Sequence, residues 1–223
     1  MDYSTAGDVL EDLINDFAVL DSPNIRPINS ILELREVYKL THDSYVSAGY
    51  SEAHPSKMLA HYPYFDHIPE TTILAAVLNG KIVGSVSLTL DGPCGFTVDE
   101  DFKEECDAIR LEGKPMATVW RLVVDDALRT KRSVVMNLIS DIVFRLGRNH
   151  IPTALFAVNP KHEKVYKHML NMEAVARKMD TGGLRNAPAI LLRGDPDKIP
   201  QRGPRLQVPA FNPIHALITS GAY

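Results

Sequence analysis

Apolar positions recur along the chain with two periods, and the switches between them outline the elements. Val9, Leu10, Leu13, Ile14, Phe17 and Leu20 fall at helical spacing, with Asp8, Glu11, Asp12 and Asp16 on other faces. That pattern predicts an amphipathic helix over 4–20, serving as a docked helix, a flap over an apolar ligand or a partner contact. Residues 24–27 predict a short first strand. Ser30-Ile-Leu-Glu33 has the form of a capping box, so a helix opens there and runs over about 30–48. Its predicted apolar face is Ile31, Leu32, Val37, Leu40, Tyr45 and Val46, and it ends near Gly49. Residues 50–71 are polar and aromatic and hold His54, His61 and His67; a loop of that length in a compact domain points to function. Residues 72–78 and 81–90 predict strands joined at Asn79-Gly80, a pair that accepts the positive φ both turn positions need. The excursion over 91–115 carries acids from Asp99 to Asp107, read as solvated helix surface.

Residues 117–170 then alternate in type. A strand over 117–126 leads to the basic turn Arg129-Thr130-Lys131-Arg132 and a helix over 133–149. Val135, Leu138, Ile139, Ile142, Val143 and Leu146 are its expected core face. A strand over 154–158 stops at Asn159-Pro160, and a helix over 161–170 carries Tyr166. Two more strands, 174–179 and 187–193, flank Thr181-Gly182-Gly183. Pro196, Pro200, Pro204, Pro209 and Pro213 rule out a helix or a central strand beyond that point, which predicts an extended tail. The class is α/β, with a mixed central sheet flanked by helices.

Composition narrows the classes. The 223 residues are 45% apolar and 23% charged, with a net charge of -4. That balance gives no support for nucleic-acid binding, which needs a clustered basic surface. No apolar run reaches the roughly 18 residues of a membrane span. The start of the chain lacks the basic-then-apolar order of a signal peptide, and Cys94 and Cys106 are not at metal-ligand spacing. The expectation is a reducing, cytoplasmic setting, with no metal and no permanently bound cofactor.

The strand–turn–helix junction is where chemistry enters. The first N–H groups of a helix lack internal partners and lie at the positive end of its dipole, so an anion binds there readily. Arg129, Lys131 and Arg132 would add charge for a phosphate or an acidic protein, or else form a solvated basic helix start.

Several segments together resemble a known superfamily. They are Tyr45-Val-Ser-Ala-Gly-Tyr50, Phe65-Asp66, Thr72-Ile-Leu-Ala-Ala76 and Gly80-Lys-Ile-Val-Gly84-Ser-Val-Ser-Leu88. Trp120-Arg121-Leu-Val-Val124, Ala157-Val-Asn-Pro-Lys-His162 and Tyr166 complete the set. In this order the chain is similar to the GNAT acyltransferases, and more closely to the N-acyl amino acid synthases of FeeM type, relatives of the acyl-homoserine-lactone autoinducer synthases. The resemblance covers about 25–194. It implies a GNAT-like acyl-CoA N-acyltransferase domain there; the helical extension over 1–24 and the proline-rich tail over 195–223 lie outside it.

The resemblance further implies transfer of a long acyl chain from the phosphopantetheine thioester of an acyl carrier protein to an amino acid or similar small amine. In such a fold two parallel strands, here 121–125 and 154–158, splay apart around the pantetheine arm. The reaction needs a base for the amine, donors for the oxyanion and an acid for the thiolate. Backbone N–H near Val123 or Val124 suits the oxyanion, Tyr166 matches the acid, and Asn159 would bond the pantetheine amides. Each has a plainer reading: Tyr166 as a packed tyrosine, Asn159-Pro160 as a strand terminator. Asp66 and Arg121 match cleft residues of the autoinducer synthases; Arg121 either binds an acceptor carboxylate in bidentate fashion or pairs with Asp66.

Departures matter too. Thr118 stands where that pattern has Glu, and Thr41 where it has Arg, which leaves the base open among Asp66, His67, Glu52 and a water chain. The basic turn has no glycine to let backbone approach a pyrophosphate. This favours a carrier protein over coenzyme A, docked on Arg129, Lys131, Arg132, Arg145 and Arg148. Alternatives are a coenzyme A dependent acetyltransferase, an autoinducer synthase and a non-catalytic acyl-binding module.

Overall fold

Residues 22–128, 132–179 and 188–199 are described by the computed structural model. The helix expected over 4–20, the turn residues Arg129 to Lys131, Thr181-Gly182-Gly183 and the chain beyond Ile199 lie outside them.

The strands are β1 (Asn24–Pro27), β2 (Thr71–Leu78), β3 (Lys81–Leu90), β4 (Met116–Val124), β5 (Thr153–Val158), β6 (Glu173–Lys178) and β7 (Ala189–Gly194). They form one sheet in the order β1-β2-β3-β4-β5-β7-β6. Only the β4–β5 pair is parallel; the others are antiparallel. The helices are α1 (Ile31–Ser47), α2 (Asp99–Arg110), α3 (Arg132–Arg148) and α4 (Glu163–Leu170).

Local chemistry explains several boundaries. The Ser30 side chain accepts the Glu33 N–H, while the Glu33 carboxylate reaches back to the Asn29 N–H at 2.9 Å rather than to that of Ser30, so the N-cap bond forms and the reciprocal one is shifted by one residue. Arg26 of β1 also pairs with Glu33 and ties the helix start to the sheet. Asn79 and Gly80 have φ of 51° and 76°, and their hairpin sets the β2–β3 register. Gly84 lets α3 approach β3: a Cβ there would lie 3.0 Å from Val134 Cγ1 and 3.2 Å from Leu138 Cδ1.

One face of the sheet carries α3 and the larger apolar core, which includes Val86, Leu88, Val119, Leu138, Ile142, Phe156 and Leu192. The other face carries two separate apolar patches. One lies under α1, with Leu34, Val37, Ile73 and Ala75. The other lies under α2, with Phe102, Cys106, Met116, Leu155 and Leu191.

Four expectations are corrected. Ile31 and Leu32 are 44% and 70% exposed, whereas Leu34, Val37, Thr41 and Ser44 are buried; the later turns of α1 lie over the sheet and its first turn overhangs. Val134, rather than Val135, fills the first core position of α3. Asp99 and Asp107 are not merely solvated, because with Asp91 they hold Arg110 at 2.7–2.9 Å. Pro196–Lys198 is a 3₁₀ turn against α3 rather than the start of an extended segment. Cys94 and Cys106 are free thiols.

Candidate active site

The parallel pairing of β4 with β5 runs from Met116–Thr153 to Val119–Phe156 and stops there. Beyond it, β4 continues to Val124 against β3 alone, while Ala157 and Val158 pair with Leu191 and Ile190 of β7. The strands therefore diverge into a V. Backbone groups on the β5 side of β4 past Val119 have no strand partner, and Val123 and Val124 lie on this stretch opposite Ser85 and Gly84.

A bulge marks the point of divergence. The β3–β4 register shifts between Ser85 and Ser87, and Arg121 adopts φ of 50°. A side chain in the left-handed region costs roughly 1–3 kcal/mol and persists where its surroundings over-determine it. The bulge turns Trp120 and Arg121, consecutive in sequence, to the same face. Trp120 Nε1 donates to Thr89 Oγ1 at 3.0 Å, and Arg121 donates to Ser87 Oγ at 2.9 Å.

Arg121 also grips Asp66 in two bonds, of 2.9 and 2.6 Å, with both side chains 0% exposed. Tyr38 of α1 donates to the same carboxylate at 2.9 Å. The guanidinium lies 4.5 Å from the Trp120 ring centroid, and its Nε is buried without a partner. Asp66 belongs to a 3₁₀ turn, Pro63–His67, entered through Tyr62 at φ of 56°. Two planar donors on one carboxylate make a strong, geometrically specific pair. Here it pins the loop over 50–70 to the sheet.

That loop builds an aromatic wall. The His61 ring centroid lies 4.0 Å from Tyr62 and 5.4 Å from Tyr45, and Tyr62 and Phe65 meet Trp120 edge-on at 5.9 and 6.4 Å. Burial, reinforced by the Arg121 charge, lowers the His61 pKa to about 4. Burial raises Tyr45 to about 12. Tyr62 is raised by burial and by the nearby Glu100 and Asp101 carboxylates.

The mouth of the V is spanned by a side-chain contact. Asn159 Nδ2 donates to Tyr50 Oη at 2.8 Å, while Asn159 Oδ1 accepts the Lys161 N–H at 3.1 Å. Asn159 thus caps the turn after β5 and meets the loop after α1. On the other arm, Ser44 donates to the Val124 carbonyl at 3.3 Å. Tyr166 of α4 is half-buried against the large core, 5.8 Å from Phe156, and burial raises its pKa to about 12.

The structure thus joins Asp66 with Arg121 and flanks the V with Val123, Val124 and Asn159. Arg129 and Lys131 lie outside the described residues, as does the side chain of Arg132, the first residue of α3. Arg145 is buried and bonded to Asp141, so it forms no part of a docking surface; its position on the inner side of α3 is the reason. Arg148 is exposed and lies 5.9 Å from the Phe144 ring centroid. His67 and Glu52 are exposed on the loop. Of the two departures, Thr41 bonds the Val37 carbonyl at 2.8 Å; Thr118 is buried with its hydroxyl unpartnered. Among the described residues, no group of His, Cys, Asp and Glu could hold a metal ion.

The bulge, Tyr38, Ser87, Tyr50 and His61 were not anticipated as site residues. One signal for the bulge was available: Trp120-Arg121 sets a charge beside an aromatic inside an apolar strand, which breaks strict alternation. Tyr38 and Ser87 carry no such signal.

Comparison with known proteins gives the family and the fold. A family model described as N-acyl amino acid synthase FeeM matches residues 36–195. The solved structure of FeeM, an N-acyl amino acid synthase from uncultured soil microbes, superposes with a TM-score of 0.68 at 22% identity, covering 79% of this chain and 93% of that one. The coenzyme A dependent acyl-homoserine lactone synthase BjaI gives 0.60 at 18% identity, covering 82% and 94%. The synthase LasI gives 0.56 at 16%, covering 78% and 88%. The mixed sheet with flanking helices is the GNAT-like N-acyltransferase fold. No curated protein matches the chain by sequence.

Proposed function

The chain belongs to the FeeM family of N-acyl amino acid synthases, and from that premise we propose that this N-acyltransferase moves a long-chain acyl group from an acyl carrier protein thioester to the amine of an amino acid or similar small molecule. The observation that carries the reading is the divergence of β4 from β5 past Val119–Phe156, beside the Arg121 bulge. It leaves a backbone edge of β4 unpaired on the side of β5, near where Asn159 and Tyr50 meet.

A thioester is already activated, so a neutral amine attacks it directly. The carbonyl oxygen becomes an oxyanion beside backbone N–H groups at Val123 or Val124, fixed dipoles that need no rearrangement. Tyr166 keeps its proton at neutral pH, because burial holds its pKa near 12, and it donates to the departing sulfur. Arg121 and Asp66 act as one positioning unit that holds the acceptor-side wall. Asn159 serves the pantetheine amides by exchanging Tyr50 for the donor. Residues 25–194 form the catalytic domain.

Arg129, Lys131 and Arg132 meet the acidic surface of the carrier, a role favoured by the lack of glycine in that turn. Free thiols at Cys94 and Cys106 suit a reducing cytoplasm. Among the described residues no helix is long and apolar enough to cross a membrane.

The test is thiol release from long-chain acyl carrier protein and from acetyl-coenzyme A, each with a panel of amino acids, with products weighed by mass spectrometry. An N-acyl amino acid from the carrier alone is the expected result. Turnover with acetyl-coenzyme A alone would overturn the carrier assignment, and silence with both donors would overturn acyl transfer.

A further inference from the structure

We infer that His42 is a positioning residue: as a neutral imidazole it anchors the loop that carries the aromatic wall, and on protonation it releases that loop. The effect on turnover rests on the acyl-transfer reading, whereas the anchor itself stands on hydrogen bonds that need no substrate. Two residues of α1, one helical turn apart, tie the loop over 50–70 to the helix. Tyr38 Oη donates to Asp66, and the Tyr38 carbonyl accepts the Leu59 N–H at 3.0 Å. His42 Nε2 accepts the His54 N–H at 3.1 Å. His61 and Tyr62 of the wall follow these anchors and precede the one at Asp66. The turn at His54 is largely bonded to itself: the Lys57 N–H reaches the His54 carbonyl, and the His54 ring meets both the hydroxyl and the N–H of Ser56. The bond to His42 carries that turn onto α1.

The bond to His54 fixes the protonation state of the ring. A backbone N–H only donates, so Nε2 must present a lone pair. The one proton of the neutral ring then sits on Nδ1, where it donates to Asp43 Oδ1 at 2.9 Å. An imidazolium carries hydrogen on both nitrogens and accepts at neither. Protonation therefore keeps the contact with Asp43 and breaks the one with His54. Asp43 and His54 are the titratable groups bonded to the ring. The strands beneath α1, β3 and β4, carry charge only at Lys81 and Arg121. Lys81 is exposed at the hairpin, and Arg121 is committed to Asp66.

Imidazoles change charge within about pH 5 to 8, so the anchor holds at the alkaline end of that range and is released at the acid end. Release frees the turn that precedes His61 and Tyr62. The acceptor-side wall then loses definition, while the donor side, built from β4, β5 and α4, is untouched.

Two measurements over about pH 5 to 8 test this. In the free protein, the His54 amide should exchange with solvent progressively faster than the Leu59 amide as pH falls; the ratio removes the pH dependence common to both amides. In turnover, the acceptor KM should rise about 3- to 10-fold toward acid, the scale of one hydrogen bond, with an unchanged donor KM. Acid also protonates the acceptor amine, so the reference is His42→Gln, whose side-chain oxygen replaces Nε2 as an acceptor that does not titrate. That variant should keep a constant exchange ratio, and the wild-type KM should depart from it only in acid. His42→Leu should show the acid behaviour at every pH. Asp43→Asn should move release to lower pH, because an amide accepts the Nδ1–H without the charge that favours the imidazolium. An exchange ratio that ignores pH in the wild type, or that changes equally in His42→Gln, would overturn the anchor. A pH-dependent ratio with an unaffected acceptor KM would overturn the positioning role. If His42→Leu does not fold, His42→Gln and the exchange ratio decide. A wild type without turnover defeats the acyl-transfer reading, and the exchange ratio still decides the anchor.

Discussion

The two faces of the sheet differ in kind. Under α3 one apolar cluster is continuous, with Val86 and Leu88 of β3 and Val119 of β4 against Val134, Leu138 and Ile142, and the buried Arg145–Asp141 pair of α3 lies beside it. On the opposite face the apolar patches under α1 and α2 do not join. Between them β3 presents Ser85, Ser87 and Thr89, all 0% exposed, and β4 presents Thr118, Trp120 and Arg121. One strand thus serves both faces, through the alternation Ser85-Val86-Ser87-Leu88-Thr89. The α3 face stabilises the fold by burial. The other gives up continuous burial to hold a charge, a row of hydroxyls and an aromatic wall beside the cleft. Polar groups buried at this cost are usually retained for what they position.

The comparison breaks most severely at Asp66. Asp66→Ala leaves Arg121 charged, buried and unpaired, and should cost about 3–5 kcal/mol in urea denaturation. It should also abolish turnover, because the loop over 50–70 loses its anchor. A loss of stability without a loss of activity would separate the pair from the site. On the other face, Leu138→Ala should cost about 2–5 kcal/mol through a cavity between α3 and β3, with an unchanged KM for either substrate. An altered acceptor KM there would mean that the faces are coupled.

Smaller changes sharpen the contrast. Tyr166→Phe should lower turnover by about 10- to 100-fold while thermal unfolding stays within about 1 kcal/mol of wild type, since only a hydroxyl is lost. Unchanged turnover would return Tyr166 to a packing role. Arg129→Glu with Lys131→Glu should raise the apparent KM for acyl carrier protein several-fold, and more at low salt. An equal effect with a truncated pantetheine thioester would remove the docking role.

The folded-state pKa of His61 is lowered from 6.5 to about 4, so between those values the unfolded chain binds its proton first. Its contribution to stability is present above about pH 6.5 and is lost as pH falls toward 4. The stability difference between wild type and His61→Gln should therefore slope through that window and flatten below it. A constant difference would mean that His61 is not held neutral by the fold.

Legibility followed the range of the interactions involved. The Asn79-Gly80 hairpin, the Ser30–Glu33 cap and the core stripe of α3 rest on neighbours within a turn or two, and such patterns are read directly from residue order. The break at Asn159-Pro160 is equally local, and the structure gives it a second role, because the same asparagine meets Tyr50. The first turn of α1 misled because an apolar stripe predicts a buried face only where something lies opposite; Ile31 and Leu32 overhang the sheet. Arg145 misled for the converse reason, since a basic residue near a helix end reads as surface until its partner Asp141 is seen on the buried side.

For the described residues, residue order alone therefore settled the period of the main strands and helices, their turns and their order along the chain, since these depend on backbone preferences and near neighbours. Tertiary structure decided the rest. Asp66 meets Arg121 across a separation of 55 residues, and Tyr50 meets Asn159 across 109. The left-handed φ at Arg121 is sustained only because Asp66, Ser87 and Trp120 surround its side chain at once. Such contacts have no local signature: each exists because the sheet brings distant strands and loops to one place, and its energy comes from desolvation that only the assembled fold imposes.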